Sequence, residues 1–474
     1  MSVRPTPVMA WTATLAQAQL NIGEQVAYFI EKLTTPAGLL LLAAGVFAFV
    51  YLLISKRGAE IAIIVWIFLL STLRADYRDF RNTLFEPLQT LRDYSRPISL
   101  CLAVAVAGRL LLLDRGNRRH LLVWGLGALL LFEFYYLGML MLFGDVARGG
   151  FGAVTMLISF AAMVLGLGRT MQDLDGVRRV LGLVGISGLV FIAANVVQLG
   201  IGYDNAVVKG RLAGIAGNAQ NLAYLCVIYM LTSVYLYDQQ GKGKIVRLIY
   251  GISIGVYAIL IIWSGSRTNA ATATVGVLLY YRLRVGRFAL LAILAAIALG
   301  VFTLIFSEST GNLERFVSGT DTRSGVWERS LSEFRNYPLF GQIPVKTSTE
   351  LDASESGYLR TLALMGTVGG VLLAGVLAGM AFEIIRAFRA QLQYAELAPI
   401  CNLVIAGFGT VFVVSIGEGF ILGIFTLPVL YIYLLYAASA FIAEYEDLKI
   451  IDVADNEGDT DVDGWNAETA PKRF

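Results

Sequence analysis

The sequence predicts an all-α, polytopic integral membrane protein, and three observations support this fold class. Of the 474 residues, 57% are hydrophobic and only 15% are charged, whereas soluble domains carry about 25% charged residues. The mean hydropathy is +0.68. Long apolar runs recur from Pro36 to Ala443. Since about 20 apolar residues suffice for a helix to cross a bilayer, we expect about 12–13 transmembrane helices.

Each expected helix corresponds to one apolar run, and the second run is short for a full crossing. The runs are 36–55, 60–73, 97–113, 121–143, 151–168, 179–200, 219–237, 245–264, 268–282, 287–307, 357–380, 398–417 and 419–442.

Charge divides the chain into three parts. Residues 1–35 are expected to form an amphipathic or irregular segment, and 36–443 the membrane domain. Residues 444–474 hold ten acidic and three basic side chains, which indicates a disordered, cytoplasmic tail. The rest of the chain has 34 basic and 25 acidic residues. A basic membrane domain indicates orientation by positively charged loops and anionic ligands, and argues against nucleic acid as a partner.

The basic residues also predict the orientation. Four clusters can all be cytoplasmic if successive helices alternate in direction. This places the connections 201–216, 264–268 and 308–356 on the outer face. The clusters are Arg169 with Arg178 and Arg179, Lys242 with Lys244 and Arg247, Arg282 with Arg284 and Arg287, and Arg386 with Arg389.

The outer connection 308–356 is too long to be a bare loop, so we expect it to contain short helices. Trp327, Leu331 and Phe334 recur at helical spacing, and Pro338 and Gly341 follow them. The pattern predicts a short amphipathic helix that lies on the membrane surface or covers a cavity.

The cysteines and the histidine are assigned structural roles. Cys101, Cys226 and Cys401 all fall in apolar runs, so each is expected to pack as a small hydrophobic residue without a disulfide. The only histidine, His120, lies in the basic stretch "RGNRRH", which is expected to be cytoplasmic.

The first candidate binding motif is "KGRLAGIAGNAQNLAY", residues 209–224. Arg211 precedes a glycine-rich turn, and Asn218 and Asn221 begin the next helix. Amide groups at a helix start attract anions, and an arginine can hold two phosphate oxygens at once. The alternative is a snorkelling arginine followed by an asparagine that only caps the helix.

The second motif is "WSGSRTNAATATVG", residues 263–276. Its small residues allow two membrane helices to approach closely, so a tight connection could hold Arg267 inward. An arginine inside a bundle indicates an ion or substrate site. The alternative is a topology anchor at a helix end.

The third motif spans the outer connection and the following helix start, "SESGYLRTLALMGTVGG". Arg315, Arg323, Arg329 and Arg335 share this connection with Glu355. Each arginine alone could be a solvated surface charge. Four on the outer face run against the usual bias of arginine toward the cytoplasm, and a diphosphate ligand would account for them.

In this order, the three motifs resemble the O-antigen ligase and polysaccharide polymerase superfamily. Members show R-x-x-G before an Asn-rich helix start, a Ser-Arg pair at a helix end, and Arg and Trp in a large outer loop. A PLxG turn and HNxYLxxLxxxGxxG follow. The matching stretches are "RLAGIAGNAQN", "SGSR", "TRSGVWERSLSEFRNYPLFG" and "ESGYLRTLALMGTVGG", and the resemblance covers residues 205–440.

The resemblance implies a glycosyltransferase of the bacterial cytoplasmic membrane that needs neither metal nor cofactor. It would polymerise or transfer undecaprenyl-diphosphate-linked oligosaccharides at the outer face. Its partners would be this glycan, the bilayer and other polysaccharide assembly proteins. Arg211, Arg267 and Arg323 would hold the diphosphate. The further binding candidates are Asn218, Asn221, Arg315, Trp327, Arg329 and Arg360.

The sequence departs from the family pattern where the ligases have histidine. Aligned on "YL", Glu355 takes that place and Ser356 replaces asparagine. A carboxylate can accept a proton from a hydroxyl group, so Glu355 is the candidate general base. Alternatively, Glu355 caps the next helix, and Arg360 pairs with it or with lipid headgroups. The missing histidine favours a polymerase-like member over a ligase.

Two other functions stay open. An enzyme of the same superfamily could transfer the glycan to lipid A core or to a protein hydroxyl group. A transporter or flippase of lipid-linked glycans would catalyse no reaction. Transporters often contain internal repeats and charges near the bilayer midplane, whereas here no clear repeat is seen and the unusual charges share one face.

Overall fold

The described part of the chain is helical almost throughout in the computed structural model. Eight of the helices in the described residues are long and apolar enough to cross a membrane, which agrees with a multi-pass membrane protein. The structure describes residues 43, 51, 55–72, 84–86, 88–112, 123–143, 146–208, 210–239, 243–284, 324–345, 356–423 and 426–458.

Some predictions fall outside these described residues. They concern the segment 1–35, most of 36–55, the stretch with His120, the helix 287–307, and residues 459–474. Three candidate site residues are outside as well, namely Arg315, Arg323 and Glu355.

The described α-helices are numbered in chain order. They are α1 Lys56–Thr72, α2 Leu88–Asp93, α3 Ser95–Leu112, α4 Trp124–Phe143, α5 Val146–Phe160, α6 Leu174–Ile201, α7 Tyr203–Ala206, α8 Ala219–Asp238, α9 Lys244–Trp263, α10 Arg267–Tyr281, α11 Ser324–Asn336, α12 Gly357–Gln393, α13 Ala398–Gly417 and α14 Leu427–Gly458.

Short elements join or extend these helices. A π-helix Ala161–Leu167 and a last turn Gly168–Thr170 continue α5. Two-residue strands β1 Val207–Val208 and β2 Arg211–Leu212 pair antiparallel. The 3₁₀-helices are Gly214–Ala216, Ala395–Leu397 and Phe420–Leu422.

Helix boundaries differ from the prediction at the C-terminal end. The last membrane helix begins at Leu427 instead of residue 419, because Gly419 and Gly423 flank a short 3₁₀-helix and Pro428 suits the first turn of a helix. It continues to Gly458, so residues 444–458 are helical. Helix α12 likewise extends beyond residue 380 to Gln393.

Helices α8 and α14 form the centre of the bundle. Both are buried on nearly all sides, whereas α9 turns a row of large apolar residues outward. A helix that is apolar all round is expected at the interior of a membrane bundle. Helix α8 packs against α6, α9, α10 and α13.

The interior contains many aromatic and a few charged side chains. Tyr229 stacks on Tyr257 with ring centroids 6.1 Å apart, and Tyr433 donates a hydrogen bond to the carboxyl group of Glu133. Glu133 is only 4% exposed. A buried carboxyl group is costly without a donor, which explains why this tyrosine faces it.

Helix α6 connects the two ends of the bundle. At its start, Arg179 forms an ion pair with Glu60 of α1. At its other end, the Gln198 side chain accepts a hydrogen bond from the amide of Phe85, and the strands β1 and β2 follow. We call the end that holds Val207–Leu212 the hairpin end, and the end that holds Arg179 the opposite end.

Candidate functional site

A short β-hairpin positions Arg211. Val208 pairs with Arg211 across a two-residue turn, and Gly210 adopts φ 74°, which favours glycine. The amide of Ala213 donates to the carbonyl oxygen of Ala206 at 2.8 Å and closes the base of the hairpin. The backbone of Arg211 is therefore held from both sides.

The Arg211 side chain joins the first two sequence motifs. Its Nε atom donates a hydrogen bond of 2.7 Å to the carbonyl oxygen of Ser264, just after the end of α9. Gly265 has φ 63°, and a Cβ atom there would lie 3.5 Å from this Nε atom. Carbonyl groups at a helix C-terminus lack helical partners and attract cations. Arg211 fills that role and is half-buried as a result.

Arg267 lies three residues beyond this contact, as the first residue of α10. Its side chain is exposed, which fits the alternative of an arginine at a helix end better than one enclosed inside the bundle. A position at the very start of the helix leaves the side chain beyond the packed interior. Arg211 and Arg267 nevertheless share the hairpin end.

A network of buried polar groups lies beneath these arginines. The Asn269 side-chain nitrogen donates to Ser266 Oγ at 2.9 Å and to the carbonyl oxygen of Gln220 at 3.2 Å. Asn269 is fully buried, and its Oδ1 atom has no hydrogen-bond partner among the described residues. The network fixes the start of α10 against the start of α8. Asn269 was not predicted, although a polar residue one turn into an apolar helix was a usable signal.

The glycine-rich turn is built around a buried asparagine. Asn195 Oδ1 accepts a hydrogen bond of 3.1 Å from the amide of Ile215. Gly214 adopts φ 51°, and a Cβ atom there would lie 2.0 Å from Asn195 Oδ1. Side chains larger than hydrogen are therefore excluded at this position.

Asn218 acts as a helix cap. Its side-chain oxygen accepts a hydrogen bond of 2.7 Å from the amide of Gln220, the standard N-cap interaction. This contact supports the alternative that Asn218 only caps the helix. Asn221 lies in the first turn of α8 and is half-buried.

The start of α12 lies at the same end of the bundle. Tyr358 donates a hydrogen bond of 2.8 Å to the carbonyl oxygen of Phe412, and a Cβ atom at Gly357 would lie 3.1 Å from the carbonyl oxygen of Glu418. Phe420 stacks on Tyr224 of α8 with ring centroids 4.7 Å apart. The segment after α13 thus lies between the start of α12 and the first half of α8.

Glu418 is a carboxylate that the sequence interpretation missed. It follows α13 directly and is 5% exposed, and its backbone contacts Gly357, two residues beyond Glu355. A glutamate just after an apolar run was a usable signal. It provides a buried acidic group at the hairpin end.

The predicted amphipathic helix is present as α11 and ends at Asn336. On it, Trp327 is half-buried and Arg329 is exposed. Arg360, in the first turn of α12, is half-buried, and its Nε atom has no hydrogen-bond partner among the described residues.

The turn after α11 is inserted into a break in α12. Gly366 has φ 64° and ψ −158°, which interrupts the helix. The amide of Thr367 donates to the carbonyl oxygen of Pro338 at 2.7 Å, and that of Val368 to Leu339 at 3.2 Å. Carbonyl groups of the turn thereby cap the second half of the helix.

The hairpin end therefore combines two exposed or half-buried arginines with buried carbonyl, amide and carboxyl groups. Guanidinium groups attract anions and can bind phosphate through paired hydrogen bonds. Within the described residues, no three His, Cys, Asp or Glu side chains cluster closely enough to hold a metal ion.

Comparison with known proteins identifies no family. No protein-family model matches the chain, and no curated protein sequence matches it.

Proposed function

We propose that the chain is a membrane glycosyltransferase that polymerises or transfers undecaprenyl-diphosphate-linked oligosaccharides at the outer face of the bacterial cytoplasmic membrane. The observation that carries this proposal is the hydrogen bond from Arg211 to the carbonyl oxygen of Ser264, which brings two of the three sequence motifs together. The segment after α13 supports it further, because Phe420 stacks on Tyr224 of α8 and the carbonyl oxygen of Glu418 lies against Gly357 at the start of α12.

In the proposed reaction, Arg211, Arg267 and Arg323 hold the diphosphate of the donor. A hydroxyl group of the acceptor attacks the anomeric carbon, Glu355 takes its proton, and the bond to the lipid diphosphate breaks. Negative charge grows on the leaving diphosphate, and nearby guanidinium groups stabilise it most strongly in a site shielded from water. The same chemistry applies to a lipid A or protein acceptor, which changes only the nucleophile.

The test is extension of an undecaprenyl-diphosphate oligosaccharide by the purified full-length protein. Arg211→Ala and Arg267→Ala should each lower the rate at least about tenfold, the typical value of a charge-assisted contact. Arg389→Ala is the matched control, since Arg389 is exposed at the opposite end of α12. Full activity in both site variants would contradict the assignment. Supplying lipid A core or a protein acceptor separates polymerase from ligase.

One feature favours a transporter as the second candidate. Broken membrane helices are common at transport sites, and α12 is broken at Gly366. Here, however, the turn at Pro338 and Leu339 fills the break and caps the amides that it exposes. Movement of labelled lipid-linked sugar across liposomes without a new glycosidic bond would favour the transporter.

A further inference from the structure

A second basic site lies at the opposite end of the bundle, where α1, α3, α6 and the end of α5 meet. A cavity of about 280 Å³ is lined there by Arg109, Arg169 and Arg179, together with Glu60 and apolar side chains. We call it the arginine cavity. Since Arg179 lies 23 residues before Gly202, the cavity is about 35 Å along α6 from the hairpin end.

Cationic groups dominate the lining of this cavity. Among the described lining residues, three guanidinium groups and one carboxylate border it. Glu60 forms an ion pair with Arg179. Arg109 is 6% exposed although it lies in an apolar helix, and burying a guanidinium group is costly. An arginine buried inside a membrane bundle marks an ion or ligand site by default.

The shape of the cavity suits a phosphate group attached to something apolar. Its volume far exceeds the roughly 30 Å³ that a water molecule occupies in the liquid. Thr170 adds a hydroxyl group beside the arginines, and Leu110 and Leu183 supply an apolar wall. The π-helix Ala161–Leu167 forms part of the lining, and such helices occur frequently at functional sites.

We propose that the arginine cavity binds a phosphate-bearing anion through Arg109, Arg169 and Arg179. Planar guanidinium groups match two phosphate oxygens at once, and the apolar wall accepts the beginning of an acyl chain. The phosphate can come from an anionic lipid headgroup or from a soluble phosphate. This proposal is independent of the proposed transferase function, because it concerns other residues at the other end.

The test measures binding to the full-length protein in detergent by native mass spectrometry and by thermal shift. The probes are dioctanoyl phosphatidylglycerol, inorganic pyrophosphate, and dioctanoylglycerol as the lipid without phosphate. We expect binding of at least one phosphate probe and none of dioctanoylglycerol. Preference for the lipid identifies a headgroup site, and preference for pyrophosphate identifies a soluble anion.

Variants then locate the bound anion. Arg169→Gln and Arg179→Gln should each weaken binding at least about tenfold, the loss of one charge-assisted contact. Arg178→Gln is the matched control, because Arg178 is adjacent in sequence but contacts Asp175 and Gln239 instead. Glu60→Gln should strengthen binding, since it removes a carboxylate that competes for Arg179. A purely structural role of these arginines would not produce that gain.

Arg211→Ala separates this cavity from the candidate site at the hairpin end. Binding that survives Arg211→Ala and fails in Arg169→Gln supports the proposal. No binding of either phosphate probe, or binding that Arg169→Gln and Arg179→Gln leave unchanged, would overturn it. Melting curves of each variant show whether the protein is still folded, and Glu60→Gln tests the proposal even if an arginine variant is not.

Discussion

Arg211 makes a well-defined contact within the protein, because its Nε atom donates to the carbonyl oxygen of Ser264 at 2.7 Å. This hydrogen bond orients the guanidinium plane before any ligand arrives. A preorganised cation stabilises developing negative charge without the cost of reorganisation. The geometry of the side chain should therefore matter as much as its charge.

Arg211→Lys tests this distinction. Lysine keeps the positive charge but has no Nε–H group beside a planar fork, so it cannot bond Ser264 and pair with two phosphate oxygens together. We expect a transferase rate at least about tenfold below that of the wild type. Arg389→Lys serves as the control. A wild-type rate in Arg211→Lys would mean that charge alone is needed.

Among the described residues, the hydroxyl group of Tyr433 is the hydrogen-bond donor to the carboxyl group of Glu133. Removing that donor leaves a buried acceptor unsatisfied, so Tyr433→Phe should lower the free energy of unfolding by about 1–3 kcal/mol. Tyr436→Phe is the control on the same helix, because its hydroxyl group has no hydrogen-bond partner among the described residues. Thermal unfolding in detergent measures the stability of both variants. A Tyr433→Phe variant as stable as Tyr436→Phe would contradict this role of Tyr433.

At the scale of elements, the most specific contact joins the turn after α11 to the break in α12. A Cβ atom at Gly366 would lie 2.4 Å from the backbone of Leu339, and one at Gly341 2.2 Å from that of Leu364. Both glycines have positive φ. Two backbones therefore meet without intervening side chains, which fixes α11 above the start of α12.

Gly366→Ala should disrupt this contact between the turn and α12. The clash and the positive φ together should lower the free energy of unfolding by about 1–3 kcal/mol. Gly375→Ala is the matched control on α12, since a Cβ atom there meets no atom within 4 Å and alanine favours a helix. Thermal unfolding in detergent measures both. A destabilisation of the same size in Gly375→Ala would show that the turn contact is not the cause.

At the scale of the whole molecule, much of the fold could be predicted from apolar runs alone. The helices near 124–143, 219–238, 244–263 and 398–417 appear where the runs are. Such runs can be identified because they depend only on the hydrophobicity of neighbouring residues, which can be read from the sequence. The prediction that all three cysteines pack in the interior is only partly confirmed. Cys226 and Cys401 are buried as expected, whereas Cys101 is exposed.

The site was less predictable, for a physical reason. The partner of Arg211 lies 53 residues away, and Asn269 contacts Gln220 across 49 residues. Nothing in the local sequence around either residue encodes such pairs. The break at Gly366 was hidden as well, because the glycines of "LMGTVGG" look alike in sequence and only one has positive φ. The cap at Asn218, a purely local feature, was one of the two alternatives that the sequence suggested.

The central claim is that the hairpin end faces out of the cytoplasm, so that Arg211 and Arg267 can meet a lipid-linked diphosphate there. Cysteine labelling in intact cells tests it. The background needs Cys101→Ser because that cysteine is exposed, and Cys226→Ala and Cys401→Ala to remove the buried thiols.

The single cysteine is then introduced as Asp204→Cys or Arg267→Cys, both exposed at the hairpin end, or as Arg389→Cys, exposed at the other end of α12. A membrane-impermeant maleimide is added before or after permeabilisation. We expect Asp204→Cys and Arg267→Cys to be labelled in intact cells and Arg389→Cys only after permeabilisation. The reverse pattern would contradict the proposed orientation and, with it, the proposed function.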